Sequence, residues 1–322
     1  LALAGTDAGN YSIGNQTTTA NISKKAITAT ASAADKVYDG NTTATVTLTY
    51  SDLVGDETLT TSSSSATFSD KNVDTEKTVT VNAITLGDGT NGGLAANYSV
   101  TTGQTTTAAI TKKALTTTLT GTVSKTYNGN TSATLGTSNY SISGFVGSEG
   151  ATITQTSGNY NNKNFGTSKS VAVLVSASDY SATGSTSLDN YTLGTGLISA
   201  DIGTIAKKNV TLTAPTVTKT YDGTVAHTVT TANLNDLSAQ LQSGDVVTTA
   251  TIAYANKNVG TGKTLSLSAA TIDDGNSGNN YSVTLANSTS GVITKAPLSV
   301  MAIDNAKFVT QSDPTFTFVY NG

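Results

Sequence analysis

The chain contains no cysteine, no tryptophan and no arginine, and its only histidine is His227. The absence of cysteine excludes a disulfide framework and thiolate metal ligands. A nucleic-acid-binding face needs arginine forks and surplus positive charge, whereas the net charge here is −4, so no nucleic-acid partner is expected. One histidine cannot supply a repeated catalytic triad or metal site. We therefore expect no enzyme activity and interpret His227 as a polar strand residue.

Long apolar runs are missing as well. No stretch approaches the roughly 18 residues needed to cross a bilayer, so no membrane span is expected in this segment. Only 12% of the residues are charged, and serine and threonine are abundant, a composition that also suits a disordered stalk. However, residues 44–50 and 79–83 alternate apolar and polar side chains with a period of two. That period is typical of strands with one buried face and not of disorder.

The chain does contain a repeat of about ninety residues, marked by three short motifs that keep their order. Such regularity indicates an array of homologous modules, which is usually mechanical or adhesive. The first motif is Tyr38-Asp39-Gly40, Tyr127-Asn128-Gly129 and Tyr221-Asp222-Gly223; the second is Lys71-Asn72-Val73, Lys163-Asn164-Phe165 and Lys257-Asn258-Val259; the third is Asn10-Tyr11, Asn97-Tyr98, Asn190-Tyr191 and Asn280-Tyr281.

Each module is predicted to be an immunoglobulin-like β-sandwich, so the expected fold is all-β, with tandem modules in an elongated rod. The tyrosine of the first motif should lie over the edge of the core. The tyrosine of the third motif should lie in the core, paired with the aliphatic residue two places on. A β-grasp-like module is the alternative, but only residues 234–241 offer its helix. In the first complete module we predict strands at 26–33, 42–50, 56–62, 65–69, 77–86, 97–102 and 105–111.

Short lysine-rich linkers such as Lys112-Lys113 and Lys207-Lys208 separate the modules and contain no glycine. Linkers of this kind predict a stiff rod and not beads on a flexible string. The predicted domains are the C-terminal part of a preceding repeat at 1–25, three repeats at 26–113, 114–208 and 209–296, and the N-terminal part of a following repeat at 297–322.

Residues 36–44 have the sequence Lys-Val-Tyr-Asp-Gly-Asn-Thr-Thr-Ala. With this motif the module resembles the YDG-type repeat of large exported bacterial adhesins of the filamentous-haemagglutinin-like kind. The second module departs from the pattern, with Asn128 for Asp and Gly147-Ser148-Glu149 where the third has Gly244-Asp245. The segment after Ala296 resembles the opening of an MBG-type repeat. The resemblance implies a stalk or fibre segment at the surface of a Gram-negative bacterium, extending a binding region towards a host or bacterial receptor.

Two other functions are open at this stage. The chain could form a self-assembling extracellular filament, joined to copies of itself by strand addition. Alternatively, the repeats could bind a glycan or a protein, with Tyr140, Tyr160 and Tyr180 as an exposed stacking platform.

Calcium is the one ion for which the sequence offers candidate ligands. Asp88, Asp273 and Asp274 lie in oxygen-rich loops that could supply ligands for a hard cation. Ordinary turn chemistry explains the same residues without an ion. No other cofactor is expected.

Overall fold

The structure, a computed structural model, describes residues 2–321 and is almost entirely built of β-strands, which confirms the all-β prediction. It forms two compact units. The first unit comprises Leu1–Leu115, Gly144–Gly150 and Gly184–Leu193, and the second comprises Thr116–Ser143, Ala151–Thr183 and Gly194–Gly322. Among the described residues, no helix is long and apolar enough to cross a membrane.

The first module lies in the first unit and has two sheets. Its strands are β1 (Lys25–Ala33), β2 (Lys36–Val37), β3 (Thr43–Ala44), β4 (Val46–Ser51), β5 (Leu59–Phe68), β6 (Asp74–Asp88), β7 (Tyr98–Val100) and β8 (Thr105–Thr111). One sheet has the order β4-β1-β7 and the other β2-β8-β6-β5-β3. Most pairs are antiparallel, but β1 pairs with β7 and β2 with β8 in parallel.

The core of this module follows from the alternation in the sequence. Along the middle of β6 and the end of β8 every second residue is buried, while most residues between them carry Thr or other polar side chains to the surface. Burying each Val or Ile contributes roughly 1.5–3 kcal/mol relative to leaving it exposed. The buried residues of β1, β6 and β8 include Ile27, Ala29, Val79, Val81, Ala108 and Ile110.

The remaining strands repeat this plan with local changes. A five-stranded sheet, β11-β19-β16-β15-β12, lies in the second unit, as do the parallel pair β20-β24 and the sheet β21-β25-β23-β22. The strands are β9 (Lys113–Ala114), β10 (Thr116–Leu119), β11 (Val123–Thr126), β12 (Ser132–Thr134), β13 (Tyr140–Ser143), β14 (Gly150–Ile153), β15 (Ser157–Tyr160), β16 (Gly166–Val175), β17 (Tyr180–Thr183), β18 (Tyr191–Thr192), β19 (Gly196–Ala206), β20 (Lys208–Thr213), β21 (Thr218–Thr220), β22 (Val246–Tyr254), β23 (Gly260–Asp273), β24 (Tyr281–Ala286), β25 (Ser288–Thr294), β26 (Ser299–Ala302) and β27 (Phe318–Asn321).

Helices are short and few in the described chain. The α-helix α1 (Thr231–Ser238) begins three residues before the predicted segment, because the Thr230 side chain caps it and forms a capping box with Asn233. Within residues 2–321 an α-helix occurs in the third module alone, so the β-grasp alternative does not describe the repeat. Short 3₁₀ turns lie at Ala8–Asn10, Ala95–Asn97, Thr137–Asn139, Ala177–Asp179 and Leu188–Asn190.

Three predictions about local structure are wrong. The strand predicted at 42–50 is two strands, β3 and β4, which belong to different sheets. The strands predicted at 56–62 and 65–69 are one strand, β5, because the pairing with β6 continues through the serine run with register shifts on each side of it. His227 is not in a strand. It lies in the segment before α1, where its Nε2 is 2.9 Å from Asn233 Oδ1.

Candidate functional site

The sequence motifs meet where one module follows another, in a cluster that we call a joint. The first joint lies within the first unit and contains Tyr38 and Lys71-Asn72-Val73 of the first module. From the second module it contains the acidic loop at Gly144–Gly150 and the turn before Tyr191. A single residue, Lys112, separates β8 from β9. The chain therefore enters the second module directly at the joint.

The centre of the first joint is a carboxylate held by two tyrosines. Tyr38 and Tyr191 are 1% exposed, and their rings meet edge to face with centroids 5.4 Å apart. The Tyr38 hydroxyl donates to Glu149 Oε1 over 2.7 Å, and the Tyr191 hydroxyl donates to Glu149 Oε2. The Val146 N–H donates to the Tyr191 hydroxyl over 3.1 Å, and Phe145 packs edge to face on the Tyr191 ring. Both hydroxyls and both carboxylate oxygens are therefore satisfied without water.

A second set of contacts holds the Lys-Asn-Val turn of the first module. Asn190 is buried, and its Oδ1 accepts the Val73 N–H over 2.9 Å while its Nδ2 donates to Asn72 Oδ1 over 3.1 Å. The Lys71 ammonium lies 3.4 Å from Glu149 Oε1. The asparagine of the third motif thus caps the second motif of the preceding module.

The second joint lies within the second unit and repeats the same construction. Tyr127 and Tyr281 are buried, with ring centroids 5.5 Å apart. Both hydroxyls donate to Asp245 Oδ2, over 3.0 and 2.6 Å, and the Lys163 ammonium lies 3.3 Å from Asp245 Oδ1. Asn280 is fully buried, and its Oδ1 accepts the Phe165 N–H over 2.8 Å. Two joints of the same design indicate a repeated interface.

The Tyr-Asp-Gly motif also has a role inside its own module. The Lys36 ammonium donates to Asp39 Oδ1 over 2.8 Å and to backbone carbonyls of the following loop, and Gly40 takes a φ of 79°. In the third module Lys219 and Asp222 repeat this ion pair. In the second module Asn128 keeps the turn by accepting a backbone N–H over 3.4 Å, so asparagine can replace aspartate there.

The first and third modules each contain half of a further joint. In the first module the Tyr98 hydroxyl donates to Glu57, but Asn97 is exposed. In the third module Tyr221 is 39% exposed, unlike its buried equivalents Tyr38 and Tyr127. Burial of the first-motif tyrosine and of the third-motif asparagine therefore depends on the neighbouring module, whereas Tyr98 is buried within its own module.

The prediction that the third-motif tyrosine forms a core pair is wrong at Tyr11, which is 72% exposed, and wrong for the aliphatic partner in the third module. Tyr98, Tyr191 and Tyr281 are buried, but Val283 is 42% exposed. The tyrosines are buried by the acidic loop and, in the joints, by the preceding module, so no aliphatic partner is needed.

The tyrosine platform predicted for glycan binding is also wrong. Tyr140, Tyr160 and Tyr180 are all buried. Their hydroxyls donate to the carbonyls of Gln155, Val123 and Gly194. Period-two alternation placed these rings on the inward face of their strands, and none offers a face to a sugar.

The three calcium candidates serve as turn acceptors. Asp88 Oδ1 accepts the Ala95 N–H over 2.8 Å, and Asp273 Oδ1 accepts the Gly275 N–H over 3.2 Å. Burial would raise the pKa of Asp274, but three backbone N–H groups outweigh it and the pKa is lowered. Residues 2–321 contain no group of three or more acidic or histidine side chains placed to hold a metal.

Sequence reasoning missed the role of the acid in each joint. Glu57, Glu149 and Asp245 each lie three residues after the residue whose N–H donates to the tyrosine hydroxyl. The three donors, Val54, Val146 and Gln242, share no residue type, so this spacing becomes visible only in the structure. In the second module the acid is present as Glu149, so the apparent departure from the motif preserves the carboxylate.

The joint carboxylate and tyrosines perturb each other's ionisation. Burial raises the pKa of Glu149, but hydrogen bonds from Tyr191, Tyr38 and Lys71 outweigh it and hold the pKa below the ordinary 4.5. Burial, followed by the contact with Glu149, raises the pKa of Tyr38 and of Tyr191 to about 12. A carboxylate whose pKa is lower in the folded chain stabilises the fold at pH values above its pKa in the unfolded chain. A tyrosine whose pKa is higher in the folded chain stabilises the fold at pH values below its pKa in the unfolded chain.

We therefore expect the first joint to be most stable between about pH 5 and about pH 10. Stability should fall below this window as Glu149 is protonated, and above it as the unfolded tyrosines ionise before the folded ones. Urea unfolding of the full chain across pH measures both limbs. A variant with Tyr38→Phe and Tyr191→Phe should lose part of the alkaline limb; an unchanged alkaline limb would contradict this assignment.

Replacing Asn190 by alanine should lower the free energy of unfolding by about 1–3 kcal/mol, because the Val73 N–H loses its acceptor at the joint. The matched control is Asn97→Ala, the same motif residue at an exposed position, with an expected effect within about 0.5 kcal/mol. Urea unfolding of the full chain measures both. Equal losses would show that the asparagine acts within its own turn and not across the joint.

A comparison with protein families supports the repeat directly. A family model for the YDG domain matches residues 23–108, 111–198 and 206–290, which together make up more than half of the chain. Neither the comparison with curated proteins nor that with solved structures gave a match. The chain therefore belongs to the YDG domain family, of which it carries three tandem copies.

Proposed function

We propose that the chain is a structural stalk or fibre segment of a large extracellular adhesin, holding a binding region away from the surface of a Gram-negative bacterium. The observation that carries the proposal is the joint, built twice from the same motifs. Each joint buries two tyrosines and an asparagine around a shared carboxylate, and so resists bending between the modules that form it. Its role is mechanical and involves no catalytic step.

The contacts between neighbouring modules support the stalk proposal. In a repeat array each module contacts only the modules beside it, and length grows by addition. A flexible linker would leave the direction of that growth undefined, whereas β8 and β9, and likewise β19 and β20, are separated by one residue. The buried polar contacts then fix one arrangement at each joint. Membership of the YDG domain family is compatible with this role.

The other partners and functions stay predictions. The MBG-type repeat after Ala296, the surface receptor and filament formation by strand addition are further hypotheses about this chain. Binding of a glycan or protein by the repeats also stays a prediction, without the three buried tyrosines of the second module.

Small-angle X-ray scattering of the full chain tests the stalk proposal, with and without calcium. At the dilute end of a concentration series we expect a rod-like profile. A variant with Tyr38→Ala and Tyr127→Ala should scatter as a more flexible chain, whereas Tyr11→Ala, at a 72% exposed position, should leave the profile unchanged. A flexible profile for the unmodified chain would contradict the proposal. A change of length with calcium would support ion binding at Asp88, Asp273 or Asp274.

A further inference from the structure

In every module a parallel strand pair joins the first part of the module to its last strand, and we call this pair the clamp. The clamps are β2–β8 in the first module, β11–β19 in the second and β21–β25 in the third. β2, β11 and β21 lie near the start of their modules, whereas β8, β19 and β25 are the strands with which the modules end. We call these last strands the exit strands.

The direction of the two strands decides how a clamp responds to tension. When a module is stretched from its ends, its first part is pulled towards the N-terminus and its exit strand towards the C-terminus. Because the two strands of a clamp run in the same direction, these opposite pulls slide one strand along the other. The hydrogen bonds of the pair then carry the load together and must break together. A hairpin pulled at its open end would instead lose its bonds one after another.

The first-motif tyrosine adds one backbone hydrogen bond to each clamp. Its N–H donates over 2.8–2.9 Å to the carbonyl of the residue at which the exit strand ends. The bond is present at Tyr221, whose ring is 39% exposed, so the clamp forms within the module and does not need a neighbour. The three donor and acceptor pairs are Tyr38 with Thr111, Tyr127 with Ala206 and Tyr221 with Thr294.

In two modules a buried tyrosine hydroxyl lies against both sides of the clamp. Tyr160 is 3% exposed, and its hydroxyl is 3.0 Å from the Val123 carbonyl oxygen and 3.4 Å from that of Thr204. Tyr254 repeats the arrangement in the third module, with distances of 2.9 and 3.0 Å to the corresponding carbonyls. The hydroxyl therefore connects the first part of the module to the exit strand, in addition to the backbone bonds of the pair.

The clamp of the first module is the weakest of the three. Phe68 takes the place of Tyr160 there: its ring centroid lies 5.4 Å from the Lys36 ammonium, as that of Tyr160 lies 5.3 Å from Lys125, but phenylalanine has no hydroxyl. The strands of this clamp have two residue pairs in register, against four in the second module and three in the third. Fewer bonds share the load, so the first module should unfold under tension before the other two.

We propose that the clamps are load-bearing: each module resists stretching by shear of its clamp, and the hydroxyls of Tyr160 and Tyr254 strengthen the second and third modules. The inference rests on the proposed stalk function, because a stalk is held at both ends and so is reached by tension. It adds a property that the joints do not supply. The joints resist bending between modules, whereas the clamps resist unfolding within a module.

Single-molecule stretching of the full chain at constant force tests the inference, because forced unfolding reports the unfolding rate. Three unfolding steps are expected, and the first module should unfold fastest. Tyr160→Phe, which removes the hydroxyl and keeps the ring, should make the second module unfold about two- to tenfold faster at the same force, the effect of losing one hydrogen bond. Tyr254→Phe should do the same to the third module.

An introduced disulfide assigns the step that belongs to the second module, because the chain has no cysteine of its own. Ser124 and Thr204 are register partners in the clamp of that module. In a variant with Ser124→Cys and Thr204→Cys, residues 125–203 cannot extend until a reducing agent is added. The step that shortens under oxidising conditions and recovers on reduction is that of the second module.

Tyr140→Phe is the matched control, because the Tyr140 hydroxyl of the same module also donates to a carbonyl, that of Gln155, which lies in neither strand of the clamp. In urea both Tyr140→Phe and Tyr160→Phe should lose stability to a similar extent, but under force only Tyr160→Phe should unfold faster. Equal acceleration by the two variants would overturn the inference. An unchanged rate in Tyr160→Phe, or a first module that outlasts the others, would overturn it as well.

The failure of this inference and that of the stalk proposal are distinguishable. A rod-like scattering profile of the full chain, combined with unfolding rates that ignore the clamp, would leave the stalk proposal intact and remove the load-bearing role. A flexible profile combined with the expected rates would contradict the stalk proposal alone.

Discussion

Replacing Tyr191 by alanine is expected to lower the free energy of unfolding by about 3–5 kcal/mol, the usual cost of deleting a buried aromatic side chain. The ring is buried and lies against Tyr38 and Phe145. Its hydroxyl donates to Glu149 and accepts the Val146 N–H. The substitution therefore creates a cavity and leaves a carboxylate and an amide short of partners.

Urea unfolding of the full chain measures the loss, and amide hydrogen exchange locates it. The Val73 and Val146 amides of the first joint should exchange faster in the variant, while the Phe165 amide of the second joint should stay protected. The matched control is Tyr11→Ala, the same motif tyrosine at an exposed position, with an effect within about 0.5 kcal/mol. A comparable loss in the control would mean that the motif acts locally.

A double-mutant cycle between Tyr38 and Tyr191 separates the contact across the joint from the burial of each ring. An edge-to-face aromatic pair contributes about 0.5–1.5 kcal/mol beyond its buried area. We expect a coupling of that size between the two sites, because their centroids are 5.4 Å apart. Additive effects would place the energy in each module separately.

Local sequence patterns predicted the strands because a period of two reports directly on which residues of a strand face the core. The 3₁₀ turn before the third-motif tyrosine is also local: it forms at Ala8–Asn10, where Tyr11 is exposed, and at Leu188–Asn190, where Tyr191 is buried. The turn is thus encoded nearby, while the burial of the tyrosine is not.

The joints were not predicted, because their contacts connect residues far apart in sequence. Tyr38 and Glu149 are separated by 111 residues, and neither position has a local pattern that reveals the other. The motifs recur once per module whether they serve the core, a turn or an interface, so recurrence alone could not choose among these. The Tyr-Asp-Gly motif forms a turn in which Lys36 donates to Asp39, but its tyrosine also contacts the next module.

The second joint offers a test in which the acid itself is removed. Asp245→Ala should lower the free energy of unfolding by about 2–6 kcal/mol, because two buried tyrosine hydroxyls lose their acceptor at about 1–3 kcal/mol each. Asp245→Asn should cost less, since an amide oxygen still accepts a hydrogen bond. Urea unfolding of the full chain measures both variants.

The control for Asp245 is Asp236→Ala, an exposed aspartate on α1 in the same unit, with an expected effect within about 0.5 kcal/mol. The Phe165 amide should lose protection in Asp245→Ala, since Asn280 caps it from the same joint. If Asp245→Ala weakened only the amides of the third module, the carboxylate would be a support for Tyr281 alone. Loss of protection at Phe165 instead requires that the acid holds two modules together, which is the property that a stiff array of such modules needs at every joint.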